Sequence, residues 1–146
     1  STIIKEIQSV ARTTEFRSIA GTKEAIFILA VGNPAMLIRI DKKTLEETVV
    51  YKEEHEKVFY DSMQFVDDLN GFAMGDPIEN CLAFIKTSDG GKTWKKVNCD
   101  VLPKVSEGEA AFATSNTNLT IKGKSIFMVS GGKKSRVFVS KDFGAT

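Results

Sequence analysis

The sequence contains few of the residues from which metal centres are built: one histidine and two cysteines among 146 residues. His55 lies in the charged run 52–57 and has no second His or Cys at ligand spacing, so we predict neither a metal site nor a cofactor. An excess of one charge is also absent, since Lys and Arg total 20 and Asp and Glu total 19, and this balance predicts no nucleic-acid partner. The longest apolar run, 25–31, is far shorter than the roughly 20 residues needed to cross a bilayer, so no membrane span is predicted.

The sequence does contain a hairpin turn with a distinctive pattern. A carboxylate in such a turn can accept hydrogen bonds from turn amides, a glycine can take a positive φ, and an indole can cover the turn. The structural residues of the turn are Thr87, Asp89, Gly91, Thr93 and Trp94. A truncated second copy near the end of the chain contains Ser140, Asp142 and Gly144.

This pattern resembles the Asp-box, or BNR repeat, of sialidase-like β-propellers. Further stretches of the chain are similar to Asp-box propellers related to photosystem II stability and assembly factors and, more distantly, to sialidases: 16–19, 58–63, 74–77, 108–117 and 136–142. The resemblance implies an all-β fold. It leaves the function open, because the same fold is used by hydrolases, binding modules and assembly factors.

Apolar segments and polar turns recur about every 40 to 55 residues, which is typical of propeller blades. We therefore predict an all-β single domain over 1–146, a partial β-propeller with about three four-stranded antiparallel blades. The blades are expected over 14–52, 58–99 and 108–146. The third blade is expected to open with a strand near 110–115 and to lack its outer strand.

A closed propeller needs about 4 to 8 blades, so the chain is expected to be part of a larger propeller, six- or seven-bladed. The missing C-terminal blades are then its partner. The segment 3–10 is expected to complete the last blade of the full ring.

Superposing the three predicted inner strands brings Arg17, Asp61 and Glu109 to equivalent positions at the mouth of a central tunnel. One interpretation is a functional site, in which Asp61 and Glu109 are catalytic, either one acting as acid or base, and Arg17, Asp76 and Arg136 bind a ligand. The other is a salt-bridge ring of Arg17, Asp61 and Glu109 that holds neighbouring blades in register.

The two cysteines flank the 87–94 hairpin symmetrically. In such a hairpin Cys81 and Cys99 are cross-strand neighbours within disulfide range, and the alternative is a pair of buried thiols. A disulfide would favour an exported protein, periplasmic or extracellular.

Two functions compete at this point. The first is a non-catalytic binding or assembly module that presents a loop-lined face to a protein or carbohydrate ligand, as the resemblance to assembly factors implies. The alternative is a sialidase-like glycoside hydrolase or related hydrolase, in which Arg17 grips substrate charge and Asp61 or Glu109 acts as acid or base. The stretch Phe16-Arg17 is similar to the Phe-Arg-Ile-Pro stretch of sialidases, but Ser18-Ile19 replaces Ile-Pro. Whether the protein is an enzyme is left undecided by the sequence.

Overall fold

The computed structural model describes residues 1–111 and 117–144, which form three sheets and one short 3-10 turn at Cys99–Val101. The first sheet contains four antiparallel strands in chain order: β1 (Phe16–Gly21), β2 (Ala25–Ala30), β3 (Ala35–Asp41) and β4 (Glu47–Glu53). No α-helix occurs in the described residues. The predicted all-β fold of four-stranded antiparallel sheets is thereby confirmed.

The second and third sheets follow along the chain. The second contains β5 (Tyr60–Phe65), β6 (Gly71–Pro77), β7 (Leu82–Thr87) and β8 (Lys95–Lys96), again in chain order. The third contains β9 (Glu109–Ala110), β10 (Leu119–Lys122), β11 (Ser125–Gly132) and β12 (Arg136–Ser140). The outer strand β8 is only two residues long, shorter than a typical strand.

The first strand of the third sheet is divided in two. Both β9 and β10 pair antiparallel with β11, at opposite ends of that strand. The side-chain amide of Asn118, just before β10, donates to the carbonyl oxygen of Ala111, just after β9, at 3.0 Å and so joins the two pieces of the strand. The strand predicted near 110–115 begins in β9, while 112–116 lies outside the described residues, and β10 was not predicted.

The second sheet packs between the other two because its side chains alternate between its faces. Toward the first sheet it places Met63, Ala73, Ala83 and Ile85, which meet Phe27, Leu29 and Leu37. Toward the third sheet it places Phe72, Met74, Leu82 and Phe84, which meet Leu119, Ile126, Met128 and Phe138. The two apolar cores therefore lie between successive sheets.

The first strands of the three sheets are neighbours, since β5 contacts both β1 and β10. Two hydrogen bonds join the first and second sheets near the start of β5. The Ser18 hydroxyl donates to the carbonyl oxygen of Asp61 at 2.7 Å, and the Tyr60 N–H donates to the carbonyl oxygen of Val31 at 3.3 Å. These contacts place the starts of β1 and β5 side by side.

The outward face of the third sheet is apolar and uncovered. Val129, Val137 and Val139 are 43%, 64% and 49% exposed, and the partly exposed Phe127 pairs with Val139. Contiguous exposed apolar patches of this kind mark surfaces that other protein elements cover.

The N-terminal segment lies against the outer edge of the first sheet. Backbone N–H groups of Gln8 and Ser9 donate to the Glu47 carboxylate at 2.9 and 2.8 Å, and Lys5 pairs with it at 3.0 Å. The segment 3–10 forms no strand in the described structure, and its predicted place in a last blade stays a prediction. Across the described residues there is no helix with the length and apolar character needed to span a membrane.

Candidate functional site

The 87–94 hairpin is locked by its own side chains. Asp89 accepts the Thr93 N–H at 3.0 Å and the Thr93 hydroxyl at 2.6 Å. Thr87 Oγ1 donates to Asp89 Oδ1 at 2.8 Å and accepts the Gly91 N–H at 3.1 Å, while Trp94 Nε1 donates to the Gly91 carbonyl oxygen at 3.3 Å. Burial opposes ionisation of Asp89, but the hydrogen bonds from Thr93 and Thr87 outweigh it and lower the pKa of Asp89 to about 2. Both oxygens of this carboxylate accept hydrogen bonds from residues of the turn.

The turn at 140–144, which is called the second hairpin turn because of its sequence, repeats this geometry. The Ser140 hydroxyl donates to Asp142 Oδ1 at 2.8 Å and accepts the Gly144 N–H at 2.8 Å. The two residues at the tip, Phe143 and Gly144, have φ of 57° and 71°, and the corresponding glycines of the first hairpin have 75° and 77°. The two copies are therefore alike in backbone as well as in sequence.

Each of these hairpins packs against the sheet that precedes it. A Cβ at Gly91 would lie 2.3 Å from the ring of Phe27 in the first sheet, and the Trp94 ring packs edge-on against Phe27 with centroids 6.3 Å apart. A Cβ at Gly144 would lie 3.3 Å from Phe84 in the second sheet. The hairpins thus join successive sheets, and their polar residues have a structural role.

Arg17 and Asp61 occupy equivalent positions in β1 and β5. Pairing of β1 with β2 shifts register between Phe16 and Ser18, and pairing of β5 with β6 shifts between Tyr60 and Ser62. Arg17 and Asp61 are therefore the extra residues of two β-bulges, without a partner residue on the neighbouring strand. Bulges of this kind re-aim side chains and are frequent beside functional sites.

The Asp61 carboxyl group is buried without a hydrogen-bond partner. The residue is 2% exposed, and neither carboxyl oxygen is hydrogen-bonded within the described structure. Burial raises the pKa of Asp61 to about 7, the charge of Asp76 adds to the rise, and the charge of Arg17 opposes it. Arg17, Asp61 and Asp76 are called the Asp61 cluster below.

The other two members of the Asp61 cluster are held in place by neighbouring groups. The Arg17 guanidinium lies over the ring of Phe59, 5.7 Å from its centroid, and the Arg17 side chain is exposed. Asp76 donates its N–H to the Phe59 carbonyl oxygen at 2.8 Å, and its Oδ1 accepts the Ala111 N–H at 2.8 Å. The members of the cluster therefore lie on β1 of the first sheet and on β5 and β6 of the second sheet.

Glu109 has a different environment from Asp61. Arg136 donates to its two oxygens from Nε at 2.9 Å and from Nη2 at 2.6 Å, and Ser106 N–H and the Ser130 hydroxyl donate as well. These bonds, above all those from Arg136, lower the pKa of Glu109 to about 2. Arg136 also donates to the Lys104 carbonyl oxygen at 2.7 Å. The predicted catalytic residue Glu109 and the predicted ligand-binding residue Arg136 are thus paired with each other.

A second polar cluster joins the first and second sheets and was not singled out from the sequence. Glu53 Oε2 accepts the hydroxyls of Tyr51 and Tyr60, both at 2.8 Å, and Oε1 accepts from Lys96. Burial opposes ionisation of Glu53, but the bonds from Lys96 and the tyrosines lower its pKa. Tyr60 is fully buried and its pKa is raised, so it lacks the properties of a nucleophile. The alternation of Tyr51 and Glu53 on one face of β4 is the signal that could have indicated this cluster.

Cys81 and Cys99 form a disulfide with Cα atoms 5.7 Å apart. The bond ties the residue before β7 to the first residue of the 3-10 turn, and the loop that it closes contains the 87–94 hairpin. Of the alternatives weighed from the sequence, the structure contains the disulfide.

Comparisons of the chain with protein-family models, with curated proteins and with solved structures found no match. Within 1–111 and 117–144, no group of three or more His, Cys, Asp or Glu side chains is placed to hold a metal ion. His55 Nδ1 accepts the Lys57 N–H at 3.1 Å in its own turn.

Proposed function

We propose that the three sheets are consecutive blades of a larger, six- or seven-bladed Asp-box β-propeller, and that the protein is a non-catalytic binding or assembly module. Its ligand, a protein or a carbohydrate, is received by the loop-lined face at the Asp61 cluster. The remaining blades of the ring are the other partner.

The propeller assignment is supported by the repetition of one contact. In two successive pairs of sheets, a glycine of the later hairpin lies on an aromatic ring of the earlier sheet: Gly91 on Phe27 and Gly144 on Phe84. The first strands of the sheets are also neighbours, as they are around a propeller axis. The uncovered face of the third sheet, with Phe127 and Val139, is where the next blade is expected to pack.

One observation carries the binding function: the Asp61 carboxyl is buried with both oxygens unpaired within the described structure. Buried polar side chains nearly always have a partner, either a protein group or an ordered water, so both Asp61 oxygens have hydrogen-bonding capacity that a bound ligand can use. Glu109 has no such capacity, because Arg136, Ser130 and Ser106 already occupy its oxygens.

A hydrolase remains the second candidate because of Asp61 and Asp76. A carboxyl whose pKa is raised to about 7 beside another carboxylate has the properties of a general acid. Glu109 is a weaker catalytic candidate than the sequence indicated, since it is ion-paired with Arg136, and Asp76 would act as the base. Arg17 would then hold substrate charge.

The variant Asp61→Asn separates the two functions. Asparagine keeps the size of the side chain and offers one acceptor and a donor group, as a protonated carboxyl does, but it cannot transfer a proton. A binding module is expected to retain its ligand in this variant. A hydrolase is expected to lose at least about a hundredfold in turnover of sialosides or other glycosides. Such a loss would refute the non-catalytic assignment.

We also propose that the protein is exported, to the periplasm or the cell exterior. The support is the Cys81–Cys99 disulfide, since structural disulfides persist mainly in oxidising compartments. Alkylation of cells before lysis tests this: a protein whose cysteines are labelled without prior reduction would contradict it.

A further inference from the structure

A cleft of about 270 Å³ lies between the second sheet and the second hairpin turn. Its aromatic lining consists of the buried Phe72 and of Phe143, which lies at the tip of that turn and is half-buried. Its polar lining comes from the second sheet and includes Lys86, Ser88 and Lys95. Basic, hydroxyl and aromatic side chains are therefore brought together in one cleft.

This cleft is separate from the Asp61 cluster. Strands β5 and β7 run in the same direction, since both pair antiparallel with β6. Asp61 lies near the start of β5 and Lys86 near the end of β7. The two sites are therefore at opposite ends of the second sheet, and an inference about the cleft does not depend on the function proposed for Asp61.

Two lysines of the cleft face each other across the β7–β8 pair. Lys86 and Lys95 are directly opposite in register, an arrangement that places Cβ atoms about 4.5 to 5.5 Å apart. Like charges in this arrangement are destabilising. The next lysine, Lys96, lies opposite Ile85 and is ion-paired with Glu53. The repulsion is thus confined to the lysine pair that lines the cleft.

No acidic side chain of the described residues compensates this pair. Neither Lys86 nor Lys95 takes part in a salt bridge within 1–111 and 117–144. Asp89, in the same hairpin, accepts hydrogen bonds from its own turn with both oxygens. Asp67 likewise accepts the N–H and the side-chain amide of the lining residue Asn70. The two ammonium groups can therefore be compensated by an anion from outside the chain.

We propose that this cleft binds a phosphate monoester. Such a group carries nearly two negative charges at neutral pH and three strong acceptor oxygens, which match the two ammonium groups of Lys86 and Lys95. A carboxylate or a sulfate monoester carries one charge and would leave one ammonium group uncompensated. The Ser88 hydroxyl can donate a further hydrogen bond to the same group.

The aromatic lining favours an ester over free phosphate. Phe72 and Phe143 place apolar surface in the same cleft as the lysines, and inorganic phosphate has no apolar part that could cover it. An aryl or alkyl group on the phosphate can cover these rings and gain the free energy of apolar burial. The ligand class is therefore a phosphate monoester with an apolar substituent next to the phosphate.

The test titrates the whole chain with three probes and follows backbone amides by ¹H–¹⁵N NMR. Phenyl phosphate is the model ligand, inorganic phosphate lacks the ring, and phenyl sulfate keeps the ring but has a single charge. Lys86→Met and Lys95→Met each remove one ammonium group from the cleft. Lys57→Met removes an exposed lysine from the loop before β5 and is the control with the same change in net charge. Urea unfolding verifies the fold, and both cleft variants should be at least as stable as the wild type because the like-charge pair is gone.

We expect phenyl phosphate to shift the amide resonances of 86–95 in the wild type and to bind more tightly than the other two probes. Lys86→Met and Lys95→Met should each weaken its binding about fivefold to tenfold, because each removes a charge-assisted hydrogen bond. Lys57→Met should bind within about twofold of the wild type. Raising NaCl from about 50 mM to about 500 mM should weaken wild-type binding more than that of either cleft variant.

Each part of the inference can be overturned separately. Absence of shifts at 86–95 in the folded wild type, or an equal loss in Lys57→Met, would refute the anion site. Phenyl sulfate bound as tightly as phenyl phosphate would refute the need for a doubly charged group. Inorganic phosphate bound as tightly as phenyl phosphate would refute the ester and identify free phosphate as the ligand.

Discussion

Replacing Asp61 by asparagine should change how the stability of the protein depends on pH. The folded protein holds the pKa of Asp61 at about 7, whereas the unfolded chain has the ordinary value of 3.8. Below pH 3.8 both states carry the proton, and ionisation does not affect unfolding. Between these two values the unfolded state releases its proton and the folded state does not, so the free energy of unfolding falls as pH rises. Above about pH 7 the loss is complete.

The size of the effect follows from the interval between the two pKa values. Each pH unit is worth about 1.4 kcal/mol, so the interval from 3.8 to about 7 gives an upper value of about 4 kcal/mol. Asparagine cannot ionise and avoids this loss. Its own imperfect hydrogen bonding adds an offset of about 1 kcal/mol that does not vary with pH.

Urea unfolding of the wild type and Asp61→Asn at intervals from pH 4 to pH 9 measures the difference directly. Acids with lowered pKa values, such as Glu47 and Asp89, are present in both proteins and cancel in the difference. The variant should gain stability relative to the wild type as pH rises, with a plateau above about pH 8. A difference that stays constant across the range would show that Asp61 is not held as a buried neutral acid.

Three further predictions concern contacts within and between the sheets. Gly91→Ala should lower the free energy of unfolding by about 3 kcal/mol, because φ is positive and the added methyl would clash with the ring of Phe27. The control Gly123→Ala, which also has a positive φ but has open space around it, should lower it by only about 1 to 2 kcal/mol. Equal losses in urea unfolding would contradict the packing of the hairpin on the first sheet. Reduction of the Cys81–Cys99 disulfide should lower the free energy of unfolding by about 3 kcal/mol, as expected for a closed loop of 18 residues. An unchanged midpoint of urea unfolding in dithiothreitol would contradict a stabilising role of the disulfide. Arg136→Met should lower Tm more than Arg12→Met, because it leaves the buried Glu109 carboxylate without its ion pair, and equal Tm values would show that the pair has no structural role.

The sequence predicted those features whose partners lie close together along the chain. Hydrogen bonds of the 87–94 hairpin span two to four residues, so fixed offsets of Thr87, Asp89 and Gly91 are enough to indicate them. The two strands of the same hairpin also bring Cys81 and Cys99, which flank it, within disulfide distance. Strand alternation and turn spacing likewise indicated antiparallel sheets.

Other features depend on contacts that no local pattern encodes. Glu109 is neutralised by Arg136, 27 residues further on, and Lys96 reaches Glu53 across 43 residues. Because these pairings arise from the packing of whole sheets, sequence alone could not separate an ion-paired Glu109 from a reactive one. The strand β10 was missed because the first strand of the third sheet is divided, which breaks the expected alternation.

The contact of Gly91 with Phe27, repeated by Gly144 on Phe84, has a consequence for how such a protein can grow. The second sheet contributes a glycine that packs on the first sheet and also carries the ring on which a glycine of the third sheet packs. A tandem copy of the segment that encodes such a sheet would therefore carry both halves of the contact that joins it to its neighbours.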